Sequence, residues 1–99
     1  ACGLPVITTD WGGQTDYVNS KNGWLIKSDW IEAQDPTYFY EGLRWKEPSQ
    51  EHLQKLMRQA FEHRKELEGK SRLSLRTAKG YTWLNSGRKC LNIMESIKK

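Results

Sequence analysis

The sequence lacks most of the patterns that mark a metal site, a membrane span or a familiar catalytic centre. Its only two cysteines, Cys2 and Cys90, lie far apart, and neither is in a CxxC pair or a histidine-rich stretch, which argues against zinc. No apolar run approaches the ~18 residues of a membrane span, and nothing resembles a signal peptide. There is no HExxH, no Walker lysine loop and no Ser-His-Asp order. We therefore assign no catalytic residue and no metal ligand, and we expect a cytoplasmic protein with free thiols.

Charges of the two signs are divided unevenly between the halves of the chain. Residues 1–50 carry four Lys/Arg against seven Asp/Glu, a net charge of −3, whereas residues 51–99 carry twelve against five, a net charge of +7. A basic half is typical of a solvated set of helix faces, and also of a surface that binds nucleic acid or an anionic membrane. One-sided clustering of the cations would favour the second interpretation. The cations concerned are Arg58, Lys65, Arg72, Arg76 and Lys79.

Residues 1–27 have the pattern of a βαβ unit. The run at residues 6–9 is β-branched throughout and follows a proline, which is typical of a short buried parallel strand. Residues 14–19 can form a short helix. Asn22 and the glycine after it form a turn signal that leads into a second strand over residues 23–27.

Residues 28–48 are predicted to be irregular, because Asp35-Pro36 and Glu47-Pro48 would each break a helix. A loop of this length is either packed against the core or functional. We expect packing, because aromatic side chains usually anchor a long loop to a core. The aromatic residues concerned are Tyr38, Phe39, Tyr40 and Trp45.

Residues 49–99 are predicted to form a helical tail. Ser49 is a suitable N-cap for a first helix that Gly69 would end, a shorter second helix would end near Gly80, and Thr82 could cap a third. The apolar stripe of the third helix comprises Trp83, Gly87, Cys90, Leu91, Met94 and Ile97. The fold class is therefore α/β, with two parallel strands followed by a mostly helical tail.

The glycine turn after the first strand is the best candidate for a binding site. Ligands of open α/β sheets bind beyond the carboxyl ends of the strands. Gly12 and Gly13 have no side chains to block a ligand, so the N–H groups that follow could cradle a phosphate. A tight strand-to-helix turn with no ligand is the alternative. Beside it, Asp10 and Asp16 could pair with ligand hydroxyls or cap the local backbone, and Trp11 could touch a sugar or a base.

Several segments together resemble the C-terminal domain of retaining glycosyltransferases of the GT-B fold, the large family that includes sucrose and glycogen synthases. The resemblance covers nearly the whole chain and is weakest over residues 28–42. It rests on the order and spacing of the segments, and no single motif is decisive. The segments are Ala1-Cys2-Gly3-Leu4-Pro5-Val6-Ile7, Gly12-Gly13, Asn22-Gly23-Trp24-Leu25, Trp45-Lys46-Glu47-Pro48, His52-Leu53, Leu56-Met57-Arg58 and Tyr81-Thr82-Trp83.

The resemblance implies a Rossmann-like donor-binding domain that holds a nucleotide-diphosphate sugar. The sugar would pass, with retention of configuration, to a saccharide or lipid-linked acceptor held mainly by an N-terminal domain. In such enzymes the amides of the glycine turn approach the diphosphate, so Gly12, Gly13 and Gln14 are the donor-contact candidates. No catalytic metal is implied, and no specific nucleic acid partner is expected.

The chain departs from the family pattern in what it lacks. The paired glutamates that hold the donor sugar and ribose, the basic residues that balance the diphosphate and the acceptor domain are all absent from residues 1–99. We therefore expect this chain alone to be inactive. An open strand edge also predicts dimerisation or strand swapping, and a lipid-linked acceptor would bring the protein to the periphery of a membrane.

Overall fold

A parallel strand pair, an antiparallel hairpin and three helices follow one another along the chain in the computed structural model, which describes residues 1–98. The predicted α/β class, with two parallel strands ahead of a helical tail, is confirmed. The elements are β1 (Val6–Thr9), a 3₁₀ turn (Gly13–Asp16), β2 (Gly23–Ile26), β3 (Ser28–Glu32), β4 (Arg44–Pro48), α1 (Gln50–Glu62), α2 (Arg64–Gly80) and α3 (Trp83–Ile97).

Strands β1 and β2 form the parallel pair, in register from Val6 opposite Gly23 to Thr9 opposite Ile26. The close approach of the two strands explains the glycine at the start of β2. A Cβ at Gly23 would lie 2.6 Å from the carbonyl oxygen of Val6 and 3.0 Å from Cγ1 of Val18. The turn before β2 is fixed by Asn22, whose buried amide donates to the Tyr17 carbonyl at 2.7 Å.

The prediction that residues 28–48 are irregular is wrong at both ends of the segment. Strands β3 and β4 pair as an antiparallel hairpin, with Trp30 opposite Lys46 and Ile31 opposite Trp45. Pro48 does not prevent the pairing, because it occupies the last position of a terminal strand, where a ladder tolerates proline. The predicted packing of the connecting loop is also wrong: Phe39 at its tip is 85% exposed.

The helix starts follow the predicted caps. The Ser49 hydroxyl accepts the backbone N–H of His52 at 3.2 Å, and the Thr82 hydroxyl accepts that of Asn85 at 3.1 Å. The predicted end at Gly69 is wrong, because α1 ends at Glu62 and Gly69 lies inside α2. The break falls at His63, whose backbone leaves the helical region (φ −102°, ψ 71°).

The core is small and lies between the parallel pair and α1. It consists of Trp24, Ile26 and Leu56, and further apolar side chains from β1, α1 and α2 pack against it. Helix α3 adds nothing to this core. Trp83, in the apolar stripe predicted for this helix, is 94% exposed, so the stripe does not pack against the core.

Candidate functional site

The predicted glycine turn lies directly beyond the carboxyl end of β1. Asp10 extends the strand pairing by one bond, because its N–H donates to the Ile26 carbonyl at 3.0 Å. At Gly12 the backbone then adopts φ 110° and ψ −176°, a conformation available essentially only to glycine. Thr15 closes the turn by donating its N–H (3.1 Å) and its hydroxyl (2.8 Å) to the Gly12 carbonyl.

The backbone donors of this turn are unused. Within residues 1–98, the N–H groups of Trp11, Gly12, Gly13 and Gln14 donate to no protein acceptor. All three glycine-turn candidates therefore lie together, and each has an N–H available to water or a ligand. Consecutive unpaired amides in a turn can form a concavity that suits an anion.

The three candidate residues differ in how open they are. The Gln14 side chain folds back over the turn, and its amide donates to the carbonyls of Trp11 and, at 3.3 Å, Thr9. A Cβ at Gly12 would lie 2.7 Å from the Gln14 Oε1, so this side of the turn is closed. A Cβ at Gly13 would have no neighbour within 4 Å. Gly13 therefore faces the open side, and Gln14 holds the turn in shape.

The two neighbouring aspartates, Asp10 and Asp16, form hydrogen bonds with different parts of the chain. The Asp10 carboxylate accepts the hydroxyl of Ser28 at the start of β3, so it ties the turn to the hairpin. Asp16 accepts the Tyr81 hydroxyl through its backbone carbonyl, at 3.1 Å. Neither carboxylate is part of a group of three or more His, Cys, Asp or Glu side chains that could hold a metal ion, and no such group occurs among the described residues.

The hairpin places an aromatic pair and a cation beside the turn. Trp11 and Trp30 meet edge to face, with ring centroids 4.9 Å apart and planes inclined at 69°. The Lys46 ammonium lies 5.8 Å from the centroid of Trp11 and 5.3 Å from that of Trp30, and it donates to the Ser28 carbonyl at 3.4 Å. We call Trp11, Trp30 and Lys46 the indole–lysine cluster.

From the sequence, Trp11 was a candidate contact, whereas neither Trp30 nor Lys46 was assigned a role. The signal that was available is strand alternation, since Trp30 and Lys46 face each other across the hairpin and therefore lie on one face of it. The prediction of irregular structure over residues 28–48 concealed that register.

A groove of about 380 Å³ lies at the opposite, amino end of β1. Its lining is mainly apolar, and several of its polar side chains are engaged within the chain: the Ser74 hydroxyl donates to the Leu4 carbonyl at 3.0 Å, and the Asn22 amide donates to the Thr77 hydroxyl at 3.1 Å. The groove offers no chemistry to compare with that of the glycine turn.

No family model, no curated protein and no solved structure matches this chain. Among residues 1–98, no helix combines the length and the apolar character needed to cross a membrane.

Proposed function

We propose that this chain is the donor-holding C-terminal part of a retaining GT-B glycosyltransferase, and that its glycine turn binds the diphosphate of a nucleotide sugar. The observation that carries the proposal is the run of unused amides at residues 11–14, at the carboxyl end of a parallel strand. Its support from sequence is the resemblance over nearly the whole chain. The proposal also assigns the chain to a Rossmann-like domain that binds the donor.

The chemistry would be electrostatic stabilisation of a leaving group. As the bond between the sugar and the diphosphate of the donor breaks, negative charge develops on the departing diphosphate. Preorganised N–H donors lower the energy of this transition state. Gly13 lies on the open side of the turn and has no side chain, so a ligand can approach the turn closely there. The acceptor would be a saccharide or a lipid-linked sugar. An N-terminal domain, and not the described residues of this chain, would hold it.

The experiment is an amide NMR titration of the full-length protein with a nucleoside diphosphate. The amides of residues 11–15 should shift, and Gly13→Ala should weaken binding, because the methyl group occupies the open side of the turn without straining it. Gly87→Ala is the matched control, since a Cβ there also has no neighbour within 4 Å and the residue lies in α3. Unshifted amides at residues 11–15 would overturn the proposal.

A second function is favoured by one face of α2. Lys65, Arg72, Arg76 and Lys79 are all exposed and recur at helical spacing, so they form a stripe about 21 Å long on the side away from the core. Within residues 1–98, none of the four has a carboxylate within 4.0 Å, whereas Arg58 pairs with Glu62 at 3.6 Å. The stripe supports a binding role on an anionic membrane surface, which is compatible with a lipid-linked acceptor.

Vesicle sedimentation tests this second function. Replacing Arg72, Arg76 and Lys79 by Gln should weaken binding to anionic vesicles by about 1 kcal/mol per cation at low salt, with no effect on neutral vesicles. Lys21→Gln with Lys27→Gln is the control, because both lysines lie outside the stripe. If the protein bound single-stranded RNA with an affinity that falls steeply with salt concentration, and did not bind vesicles, the stripe would be a nucleic-acid site instead.

A further inference from the structure

Three groups that share no sequence motif meet beside the glycine turn, and the hairpin supplies two of them. Trp11 precedes the turn, while Trp30 and Lys46 come from opposite strands of the hairpin. Trp11 is 53% exposed and Trp30 is 44% exposed, so their contact with each other leaves much of both indoles open to solvent. A purely structural anchor for the hairpin would be expected to bury these rings more fully.

The ammonium of Lys46 is held in place but retains donor capacity. It is attracted to both indole rings and donates to one carbonyl, that of Ser28, at 3.4 Å. An ammonium has three protons. Among the described residues Lys46 has no carboxylate within 4.0 Å, because the ion pairs found there are Arg58–Glu62 and Lys70–Glu66. Lys46 can therefore offer its charge to an anion that approaches the neighbouring turn.

We propose that the indole–lysine cluster completes the binding site of the glycine turn for a nucleoside diphosphate, with Lys46 pairing with a phosphate and the exposed indoles stacking on the base. This inference rests on the proposed function, because the turn amides must hold the diphosphate for the base to reach the indoles. It assigns roles to two hairpin residues, Trp30 and Lys46, and supplies a cation that the glycine turn itself lacks. Every base has an aromatic face, so the platform does not select one nucleotide.

Isothermal titration of the full-length protein with three ligands separates the two roles. Lys46→Met should weaken binding of both pyrophosphate and uridine diphosphate roughly tenfold, since each loses a charge-assisted hydrogen bond. Trp30→Leu should weaken the binding of uridine diphosphate roughly tenfold and leave the affinity for pyrophosphate unchanged, because only the nucleotide has a base that can stack. Hexose 1-phosphate is the third ligand. If Trp30→Leu lowered the affinity for hexose 1-phosphate alone, the indoles would bind a sugar, and their assignment to the base would be overturned.

Two rescue variants and two controls separate binding from folding. Lys46→Arg and Trp30→Phe should recover most of the affinity, because each retains the charge or the aromatic face. Lys21→Met, at the amino end of β2, and Trp83→Leu, on α3, should change nothing. If Trp30→Phe were as weak as Trp30→Leu, or if the hairpin amides lost their dispersion in the variants, the tryptophan would have only a structural role.

The outcomes also separate this inference from the proposed function. If Gly13→Ala abolishes pyrophosphate binding while Trp30→Leu and Lys46→Met bind as the wild type does, the turn is a phosphate site and the cluster is not part of it. If no ligand binds the wild-type protein, the proposed function fails, and the role of the cluster fails with it.

Discussion

Asp35 organises the loop between β3 and β4 through several hydrogen bonds from its own neighbours. Its carboxylate accepts the Thr37 hydroxyl at 2.6 and 2.7 Å, and the backbone N–H groups of Thr37, Phe39 and Tyr40 at 2.9, 3.1 and 3.3 Å. These bonds, with that of the Thr37 hydroxyl the largest cause, lower the pKa of Asp35 from its ordinary value. The loop therefore depends on a charged carboxylate.

The expected pH dependence follows from the direction of that shift. Because the folded loop favours the ionised form, its stabilisation is fully present above the ordinary carboxyl pKa and is lost as the pH falls through the lowered value. The amide resonances of Thr37 and Phe39 should move toward random-coil positions in that acidic range. Asp35→Asn should produce the same change at neutral pH, while Asp29→Asn, in β3, should not. Amide positions that are constant down to pH 2 would contradict this role.

The helix caps are the elements that could be predicted best from sequence, because each depends on one side chain and the backbone three residues later. Ser49 and Thr82 show this directly. The hairpin could not be predicted in the same way. Its pairing depends on contacts between residues twelve to twenty positions apart, and the prolines at 36 and 48 favoured an irregular segment instead. Likewise, the apolar stripe of α3 predicts that one face of the helix is buried, but it does not identify the surface that buries it.

The same kind of cap should have different energetic effects on two helices. Ser49→Ala should lower the free energy of unfolding by about 1 kcal/mol, because α1 carries Leu56 into the core. Thr82→Ala should fray α3 without lowering global stability, because α3 contributes no residue to that core. Urea unfolding measures the first effect and amide hydrogen exchange along α3 measures the second. Equal shifts of the urea midpoint would show that α3 is coupled to the core.

The glycine turn could be located from sequence, but its open and closed sides could not. The Gly-Gly pair after a β-branched run predicts an approachable turn. Which glycine is approachable depends on the rotamer of Gln14, whose side chain lies 2.7 Å from the position of a Gly12 Cβ. The indole–lysine cluster depends on the hairpin register and could not be recognised without it.

At the scale of the molecule, the chain is thin and extended. Its Cα radius of gyration is 17.8 Å, and it measures 51 × 44 × 18 Å, whereas a compact domain of this length has a radius near 13 Å. The apolar face of α3 is open to solvent, with Leu91 at 54%, Met94 at 63% and Ile97 at 74% exposure. Patches of this kind mark interaction sites.

We expect the isolated chain to self-associate through this face of α3. Leu91→Glu with Met94→Glu should convert a concentration-dependent dimer to a monomer, because two carboxylates would be buried in the contact. Asn92→Glu, on the polar side of the same helix, is the matched control and should leave association unchanged. Sedimentation velocity over a hundredfold range of concentration distinguishes these cases. A wild-type chain that stays monomeric throughout the range would contradict the expectation.

The buried amine of Lys70 has a consequence for how the polypeptide is made. It lies 8% exposed in α2 and donates to the carbonyls of Ser20 and Gly23, fifty and forty-seven positions earlier. Until the ribosome has delivered that lysine, the carbonyls of Ser20 and Gly23 lack its ammonium as a donor. The parallel pair should therefore be protected from proteases only late in synthesis, and a nascent polypeptide that ends before α2 should expose it.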